Sequence, residues 1–117
     1  MALKLECRND ALLVWVNGDF DLVSAAEFRQ KVDTALEDQR PRHLIVNMSK
    51  MTFMDSSGLG VLLGRLKLIQ NRKGRMFLTG VRPEVLKVLN LSGIIPLLQI
   101  TKTEDEAMAL LRKGAVK

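Results

Sequence analysis

Residues 51–65 have the sequence MTFMDSSGLGVLLGR, in which an apolar lead-in ends at an aspartate and two serines before a second apolar pattern begins. An Asp or Ser directly before such a pattern is typical of a helix start, because its side-chain oxygen accepts hydrogen bonds from backbone N–H groups that are otherwise unpaired. The apolar residues then recur at helical spacing. The pattern predicts a helix that begins next to Asp55 and runs to about Arg72.

This predicted helix carries apolar residues on two opposite faces. One face forms a regular stripe that we expect to be buried, made of Leu59, Leu62, Leu63, Leu66 and Ile69. At roughly 100° per residue, the opposite face carries Ser57, Val61, Gly64 and Leu68, flanked by Arg65 and Arg72. A face that only meets water is expected to be polar. We therefore expect the second face to be a contact surface with a hydroxyl group at its upper end.

The rest of the chain alternates strands with helices. Residues 3–8 alternate and predict an edge strand, whereas residues 11–16 are apolar on both faces and predict an inner strand that ends at Asn17-Gly18. Further strands are predicted at 43–48, 75–79 and 97–101, and helices at about 21–40, 56–72, 83–92 and from 103 onward. The order β-β-α-β-α-β-α-β-α predicts an α/β fold with a mixed, mostly parallel β-sheet and about four helices. We expect one domain over residues 1–117.

Capping and breaking residues set the predicted helix ends. Asp21 or Ser24 begins the first helix, whose predicted buried stripe is Ala25, Phe28, Val32, Ala35 and Leu36. Gly74 is expected to close the second helix. In the two later helices, Leu91 and Leu110 are expected to face inward.

Composition limits the classes of protein to which this chain can belong. The formal net charge is +5, but the basic residues are spread along the chain, with one Trp and no Tyr, so we predict no direct binding to nucleic acid. Cys7 is the only cysteine and cannot form an internal disulfide. The N-terminus is patterned as a strand and not as a signal peptide. No apolar run approaches the roughly 20 residues of a membrane helix. We expect a cytoplasmic protein with no membrane contact.

The sequence carries no strong catalytic or cofactor motif. Gly58, Gly60 and Gly64 are spaced as G-x-G-x-x-x-G, which matches neither the dinucleotide fingerprint nor the P-loop. Ser57 lacks the leading glycine of a nucleophile elbow, and His43 is the only histidine. A zinc site needs more Cys and His than the chain has. We therefore predict no metal, no cofactor and no enzymatic activity.

The residues beside the predicted helix start allow both a local and a functional interpretation. Ser57 either caps the helix or presents a hydroxyl for modification, and a helix N-terminus would accept a phosphate. Ser56, about 100° away, is expected to point toward the protein and cap backbone groups. Asp21 and Asp55 either cap their helices or flank the serine and contact a partner. Close approach of a partner would explain a glycine at Gly64.

Residues 53–61 and 63–65 closely resemble the signature of the anti-sigma factor antagonists, which are bacterial STAS domains. Gly18-Asp19-Phe20-Asp21 before the first helix and Leu91-Ser92-Gly93-Ile94 after a later one are similar as well. The nearest resemblance is to the sporulation type, the anti-sigma F factor antagonists. That type usually has a His pair after the residue equivalent to Asp21, where this chain has Leu22-Val23.

The resemblance implies a function for the helix start. The serine directly before the glycine is the family's phosphoacceptor, which implies phosphorylation of Ser57. The unphosphorylated form is expected to bind an anti-sigma factor that is also a serine kinase, and a PP2C-type serine phosphatase is expected to reverse the modification. We expect a protein that is monomeric when free, with a partner-binding surface comprising Asp21, Asp55, Ser56, Gly58, Gly60, Val61, Gly64, Arg65 and Leu68.

Three alternatives stay open from the sequence. The chain could serve a different sigma factor, such as that of the general stress response. It could be a non-switching STAS subunit of a larger scaffold or transporter complex, although the serine before Gly58 argues against this. It could also be an enzyme that uses Ser57 as a nucleophile, against which the single His43 argues.

Overall fold

The elements follow the predicted alternation with one addition. The computed structural model describes residues 2–116 and contains six strands and four α-helices. The strands are β1 Ala2–Arg8, β2 Ala11–Phe20, β3 His43–Asn47, β4 Met51–Met54, β5 Met76–Thr79 and β6 Gln99–Thr101. The helices are α1 Leu22–Gln39, α2 Ser56–Asn71, α3 Pro83–Ser92 and α4 Glu104–Val116. The predicted α/β class, the mixed sheet and the four helices are confirmed.

One continuous sheet runs in the order β1-β2-β3-β5-β6. The pair β1–β2 is antiparallel, and the other pairs are parallel. The strand β1 lies at one edge, as its alternation predicted. Leu3, Leu5 and Cys7 pack against the core, and the Lys4 ammonium on the other face lies 5.2 Å from the centre of the Trp15 ring. The edge therefore carries charged side chains on the face away from the core.

The strand β2 is longer than predicted, because Gly18 does not end it. Gly18 has a φ of 96°, which glycine adopts without strain, and the register shifts between Gly18 and Asp19. Such a bulge bends a strand without stopping it. The first half of β2 pairs with β3, and its end pairs in parallel with β4. The four residues of β4 are the strand that the sequence analysis missed, since Met51 and Met54 are buried without alternation between them.

Helices cover both faces of the sheet. The helices α1, α2 and α3 pack on one face, in a core cluster that includes Leu12, Val14, Leu44, Val46 and Leu78 of the strands. The helix α4 packs on the other face, where Ala107 and Met108 meet Ala11, Leu13, Ile45 and Phe77. None of the helices within residues 2–116 has the length and apolar character needed to cross a bilayer.

The first helix begins at Asp21, which settles the choice between Asp21 and Ser24. The Ser24 N–H donates to Asp21 Oδ1 at 3.2 Å, and the Asp21 N–H donates to Ser24 Oγ at 2.8 Å. The two residues thus form a reciprocal capping box. The helix ends at Gln39, followed by Arg40 with a φ of 50°. Its predicted buried stripe is confirmed in full.

Gly74 has a second role besides the predicted one. The left-handed residue after α2 is Lys73, with a φ of 59°. A Cβ atom on Gly74 would lie 1.8 Å from the carbonyl oxygen of Arg42. The Gly74 N–H donates to the Ile69 carbonyl oxygen at 2.9 Å, so Gly74 closes α2 as predicted. The close approach of the loop before β3 also leaves no room for a side chain at this position.

Three leucines lie differently from their predicted positions. Leu91 is 84% exposed on α3, and Leu110 is 38% exposed on α4. Leu97 belongs to a single 3₁₀ turn, Ile95–Leu97, so the last strand begins only at Gln99. Val85 and Leu89 are the buried residues of α3, which leaves Leu91 on the outer side of its last turn.

The buried face of α2 is rotated from the predicted one toward Gly58 and Arg65. Leu62, Leu66 and Ile69 are buried as expected, but Leu59 and Leu63 are only half-buried, whereas Gly58 and Arg65 are buried. A Cβ atom on Gly58 would lie 2.5 Å from Cδ2 and 2.8 Å from the carbonyl oxygen of Phe20. Gly58 therefore packs against β2, so its predicted place on the partner surface is wrong.

The other two glycines of α2 face outward. A Cβ atom on Gly60 or on Gly64 would meet no atom within 4 Å. The outward position predicted for Gly64 is confirmed. Neither glycine is kept by a contact within the described part of the chain.

Alanine substitutions at Gly58 and Gly64 test this orientation of α2. Gly64→Ala is expected to raise the free energy of unfolding by up to about 1 kcal/mol, because alanine is the better helix former and the site is open. Gly58→Ala is expected to lower it by about 1–3 kcal/mol, because the new methyl group collides with Phe20. Chemical denaturation of both variants measures the difference. A loss of stability in Gly64→Ala would contradict the orientation.

Candidate functional site

Two helices begin side by side at one end of the sheet. Phe20 ends β2 and Met54 ends β4, and these two residues are partners in the parallel register. Asp21 and Asp55 follow them directly and are the N-caps of α1 and α2. The Asp55 N–H donates to the Phe20 carbonyl oxygen at 3.3 Å. The positive ends of two helix dipoles and two carboxylates therefore share this edge.

Asp55 fixes the first turn of α2 and leaves the Ser57 hydroxyl free. Asp55 Oδ1 accepts the N–H of Ser57 at 2.9 Å and the N–H of Gly58 at 3.3 Å. Ser57 is half-buried, and its hydroxyl makes no hydrogen bond to the residues that the structure describes. The backbone at Ser57 is thus held by the cap, while its side chain is available for reaction.

Ser56 does not lie where the sequence analysis placed it. It was expected to point inward and cap backbone groups, but its side chain is exposed. Asp55 caps the helix in its place. Gly58 and Arg65 mark the buried side of α2. Ser56 is rotated from Ser57 in the opposite direction to Gly58, so it lies away from the buried side.

Asp21 is held as firmly as Asp55. Hydrogen bonds from the Ser24 N–H and then from the Ser24 hydroxyl lower the pKa of Asp21 from its ordinary value. The Ser24 hydroxyl also donates to the Asp19 carbonyl oxygen at 2.8 Å. Thr52 Oγ1 donates to Asp19 Oδ1 at 2.6 Å, which joins β4 to β2. The carboxylates at this edge of the sheet are therefore held in fixed positions by hydrogen bonds.

A groove runs between α1 and α2 from this edge. It is lined by Leu22, Ala25, Ala26, Arg29, Ser56, Ser57, Gly60, Val61 and Arg65. Arg65 was expected on the outer contact surface, but it is only 9% exposed, and its Nε lies 3.1 Å from Asp33 Oδ1 of α1. It lies eight residues after Ser57, about 80° further round the helix. Arg65 therefore forms a wall of the groove.

The outer face of α2 is flat and partly apolar. It carries Ser57 at its upper end, then the half-buried Val61, then Gly64, and Leu68 with 39% of its surface exposed. With open space at Gly60 and Gly64, another backbone can approach the helix closely. The geometry fits a protein contact that includes the Ser57 hydroxyl.

Three exposed apolar side chains border the site and were not predicted as part of it. Leu22 is 71% exposed, Val23 is 78% exposed and Phe53 is 50% exposed. The signal was present in the sequence, since a helix capped by Asp21 puts Leu22 and Val23 in its first turn, outside the buried stripe. Together they extend the exposed apolar surface beyond α2.

The single histidine is remote from Ser57. His43 pairs with Ala11 at the start of β2, whereas Ser57 follows the strand that pairs with the end of β2. His43 Nδ1 accepts the Arg75 N–H at 3.0 Å, and burial lowers the pKa of His43. His43 therefore cannot be a base for Ser57. Among residues 2–116, no three His, Cys, Asp or Glu side chains are grouped as a metal site requires.

Comparison with known proteins agrees with this architecture. Residues 2–107 match the STAS domain family. An anti-sigma F factor antagonist of Paenibacillus polymyxa is 32% identical over 111 residues, 95% of each chain. An anti-sigma-B factor antagonist of Staphylococcus aureus is 28% identical over 94 residues, 80% of this chain and 86% of that protein.

Solved structures give the same result. The anti-sigma factor antagonist SpoIIAA in its unphosphorylated form has a TM-score of 0.77 at 28% identity, covering 95% of this chain and 98% of that chain. The phosphorylated form of SpoIIAA from Bacillus has a TM-score of 0.76 at 31% identity, covering 94% and 99%. The chain therefore belongs to the STAS domain family, and within it to the anti-sigma factor antagonists.

Proposed function

We propose that this protein is an anti-anti-sigma factor that is switched by phosphorylation of Ser57. In its unphosphorylated form it binds an anti-sigma factor that is also a serine kinase, and the sigma factor is released. The kinase ends the interaction by phosphorylating Ser57, and a PP2C-type phosphatase restores the active form. SpoIIAA, a structural relative, has been solved in both phosphorylation states.

The observation that carries the proposal is the position of Ser57. Its backbone N–H donates to Asp55 Oδ1 at 2.9 Å, while its half-buried side chain borders both the outer face of α2 and the groove between α1 and α2. Phosphate is compatible with this position, because the Ser57 hydroxyl makes no hydrogen bond to the described residues that the modification would break. Phosphorylation therefore changes the surface and does not need to unfold α2.

The added charge acts beside two carboxylates. Phosphoserine carries about −1.5 to −2 charges near neutral pH, and it adds this charge two residues after Asp55, at the edge where Asp21 caps the neighbouring helix. It also adds bulk at the end of a face whose Gly60 and Gly64 allow close approach. Repulsion and bulk together account for the loss of partner binding.

In this proposal the protein has no catalytic role. The kinase supplies ATP, Mg²⁺ and the base that accepts the hydroxyl proton. The chain supplies a positioned hydroxyl, which explains why Ser57 needs no histidine beside it. His43 lies at the other end of β2 from Ser57.

A second candidate is the same switch in a different pathway. The anti-sigma-B factor antagonist of Staphylococcus aureus is 28% identical to this chain, which favours a stress-response sigma factor as the alternative. A non-switching STAS subunit is disfavoured by the free hydroxyl at Ser57. Binding tests against both kinds of anti-sigma factor separate the two pathways.

Ser57→Ala is expected to abolish phosphorylation and to keep partner binding, because alanine is tolerated in a first turn and only the hydroxyl is lost. Mass spectrometry after incubation with a candidate anti-sigma kinase and ATP locates the phosphate. Ser56→Ala is the matched control and should be phosphorylated normally. Phosphate at Ser56, or undiminished phosphate in Ser57→Ala, would show that the assignment is wrong.

Ser57→Asp is expected to weaken binding to the anti-sigma factor about tenfold or more, which corresponds to about 1.4 kcal/mol. The added charge lies beside Asp55, and Asp carries less charge than phosphoserine. Calorimetric titration measures the loss, with Ser57→Asn as the uncharged control of similar size. Equal affinities for the two variants would contradict the electrostatic part of the mechanism.

Gly64→Leu tests the outer face of α2 as the docking surface. The monomer should stay folded, because no atom lies within 4 Å of the new Cβ position. The larger side chain should obstruct the partner and slow the phosphorylation of Ser57. Thermal melts and kinase assays compare it with Gly64→Ala, which removes the glycine with far less bulk. Unchanged phosphorylation in Gly64→Leu would place the docking surface elsewhere.

A further inference from the structure

The groove between α1 and α2 contains a buried cation with too few acceptors. Arg65 is 9% exposed, and neither its Nε nor its Nη1 has a hydrogen-bond partner among the described residues. Asp33 Oδ1 lies 3.1 Å from Nε, so the two charges attract, but the atoms are not aligned for a hydrogen bond. A guanidinium buried without hydrogen bonds is costly. Arg65 therefore offers donors to an anion in the groove.

A second arginine faces the same groove from α1. Arg29 is exposed and lines the groove together with Arg65 and Ser57. Both helices start at the same edge and pack against each other. Arg29 lies six residues further from its cap than Ser57 does, an offset of about 9 Å. Side chains on a helix lean toward its N-terminus, so Arg29 leans back toward Ser57.

Two of the backbone donors nearest to the Ser57 side chain are already occupied. A free helix N-terminus would offer the N–H groups of its first turn to a phosphate, but the N–H groups of Ser57 and Gly58 are bound to Asp55. Asp55 and Asp21 also repel an anion at the edge itself. A phosphate on Ser57 is best accommodated where the positive groups lie, which is the groove.

We propose that the groove between α1 and α2 is an intramolecular anion site that binds the phosphate of phosphorylated Ser57, with Arg29 and Arg65 as its ligands. This inference rests on the proposed phosphorylation of Ser57. In the phosphorylated protein the phosphate lies against the two arginines and bridges α1 to α2. Phosphorylation then both adds negative charge and removes a basic groove from the surface that the partner meets.

The test uses protein in which phosphoserine is incorporated at position 57 during translation, so it does not depend on any kinase. A ³¹P NMR titration reports the second pKa of the phosphate, ordinarily about 6. The charged groups that face the phosphate come from both helices. The helix α1 contributes Arg29, Asp33 and its cap Asp21, and α2 contributes Arg65 and its cap Asp55. The carboxylates are unchanged between the variants compared, so the difference isolates the arginine.

Arg29→Gln is expected to raise this pKa by about 0.5 unit or more, because a nearby positive charge favours the dianion. Lys67→Gln is the control with the same change in charge. Lys67 is exposed, lies ten residues after Ser57, about 15 Å along α2, and does not line the groove as Arg29 and Arg65 do. Equal pKa values in the two variants would overturn the proposal.

A melting experiment tests Arg65, whose removal could unfold the protein. Arg65→Lys keeps the charge but loses the planar set of donors. Phosphoserine at position 57 should raise the melting temperature less, or lower it more, in Arg65→Lys and in Arg29→Gln than in Lys67→Gln. The same change in all three variants would overturn the proposal. A kinase that fails to phosphorylate Ser57 would contradict the proposed function and leave these measurements unaffected.

Discussion

The contact between the end of β2 and the start of α2 determines the geometry of the site. Phe20 pairs with Met54 across the two strands, and Gly58 packs against the ring and carbonyl group of Phe20. This contact is possible only because residue 58 has no side chain. It sets how far α2 approaches the sheet, and so where Ser57 stands relative to α1. A displaced α2 would separate the two caps and open the groove between the helices.

The two caps give this end of the molecule an electrostatic character that neither helix would have alone. Each carboxylate neutralises the N-terminus of its own helix and takes up backbone donors there. The positive charge available to Ser57 consequently lies further along the two helices, on Arg29 and Arg65 of the groove. The surface is acidic at the edge and basic between the helices. A phosphate on Ser57 would therefore be attracted toward the groove and repelled from the edge.

Sequence patterns predicted the long elements well and the close contacts poorly. The stripe from Ala25 to Leu36 repeats over three turns of α1, so local periodicity alone identifies it. The strand β4 has four residues and no alternation, which is too short for any periodic signal. The role of Gly58 and the second role of Gly74 depend on atoms of Phe20 and Arg42, distant in the sequence. The same applies to the burial of Arg65 and the exposure of Ser56, because both follow from a rotation of α2 set by its packing.

The glycines that face outward connect stability with function in α2. A glycine in a helix interior costs about 1 kcal/mol relative to alanine, and at Gly60 and Gly64 the surrounding space would accept a methyl group. No contact within the described residues compensates for this cost. In the proposed function the compensation is external, because a flat helix face would let a partner reach the Ser57 hydroxyl. The exposed Leu22 and Val23 are a similar case. These apolar side chains lie in water beside the site, and their burial would contribute favourable free energy only when a partner covers them.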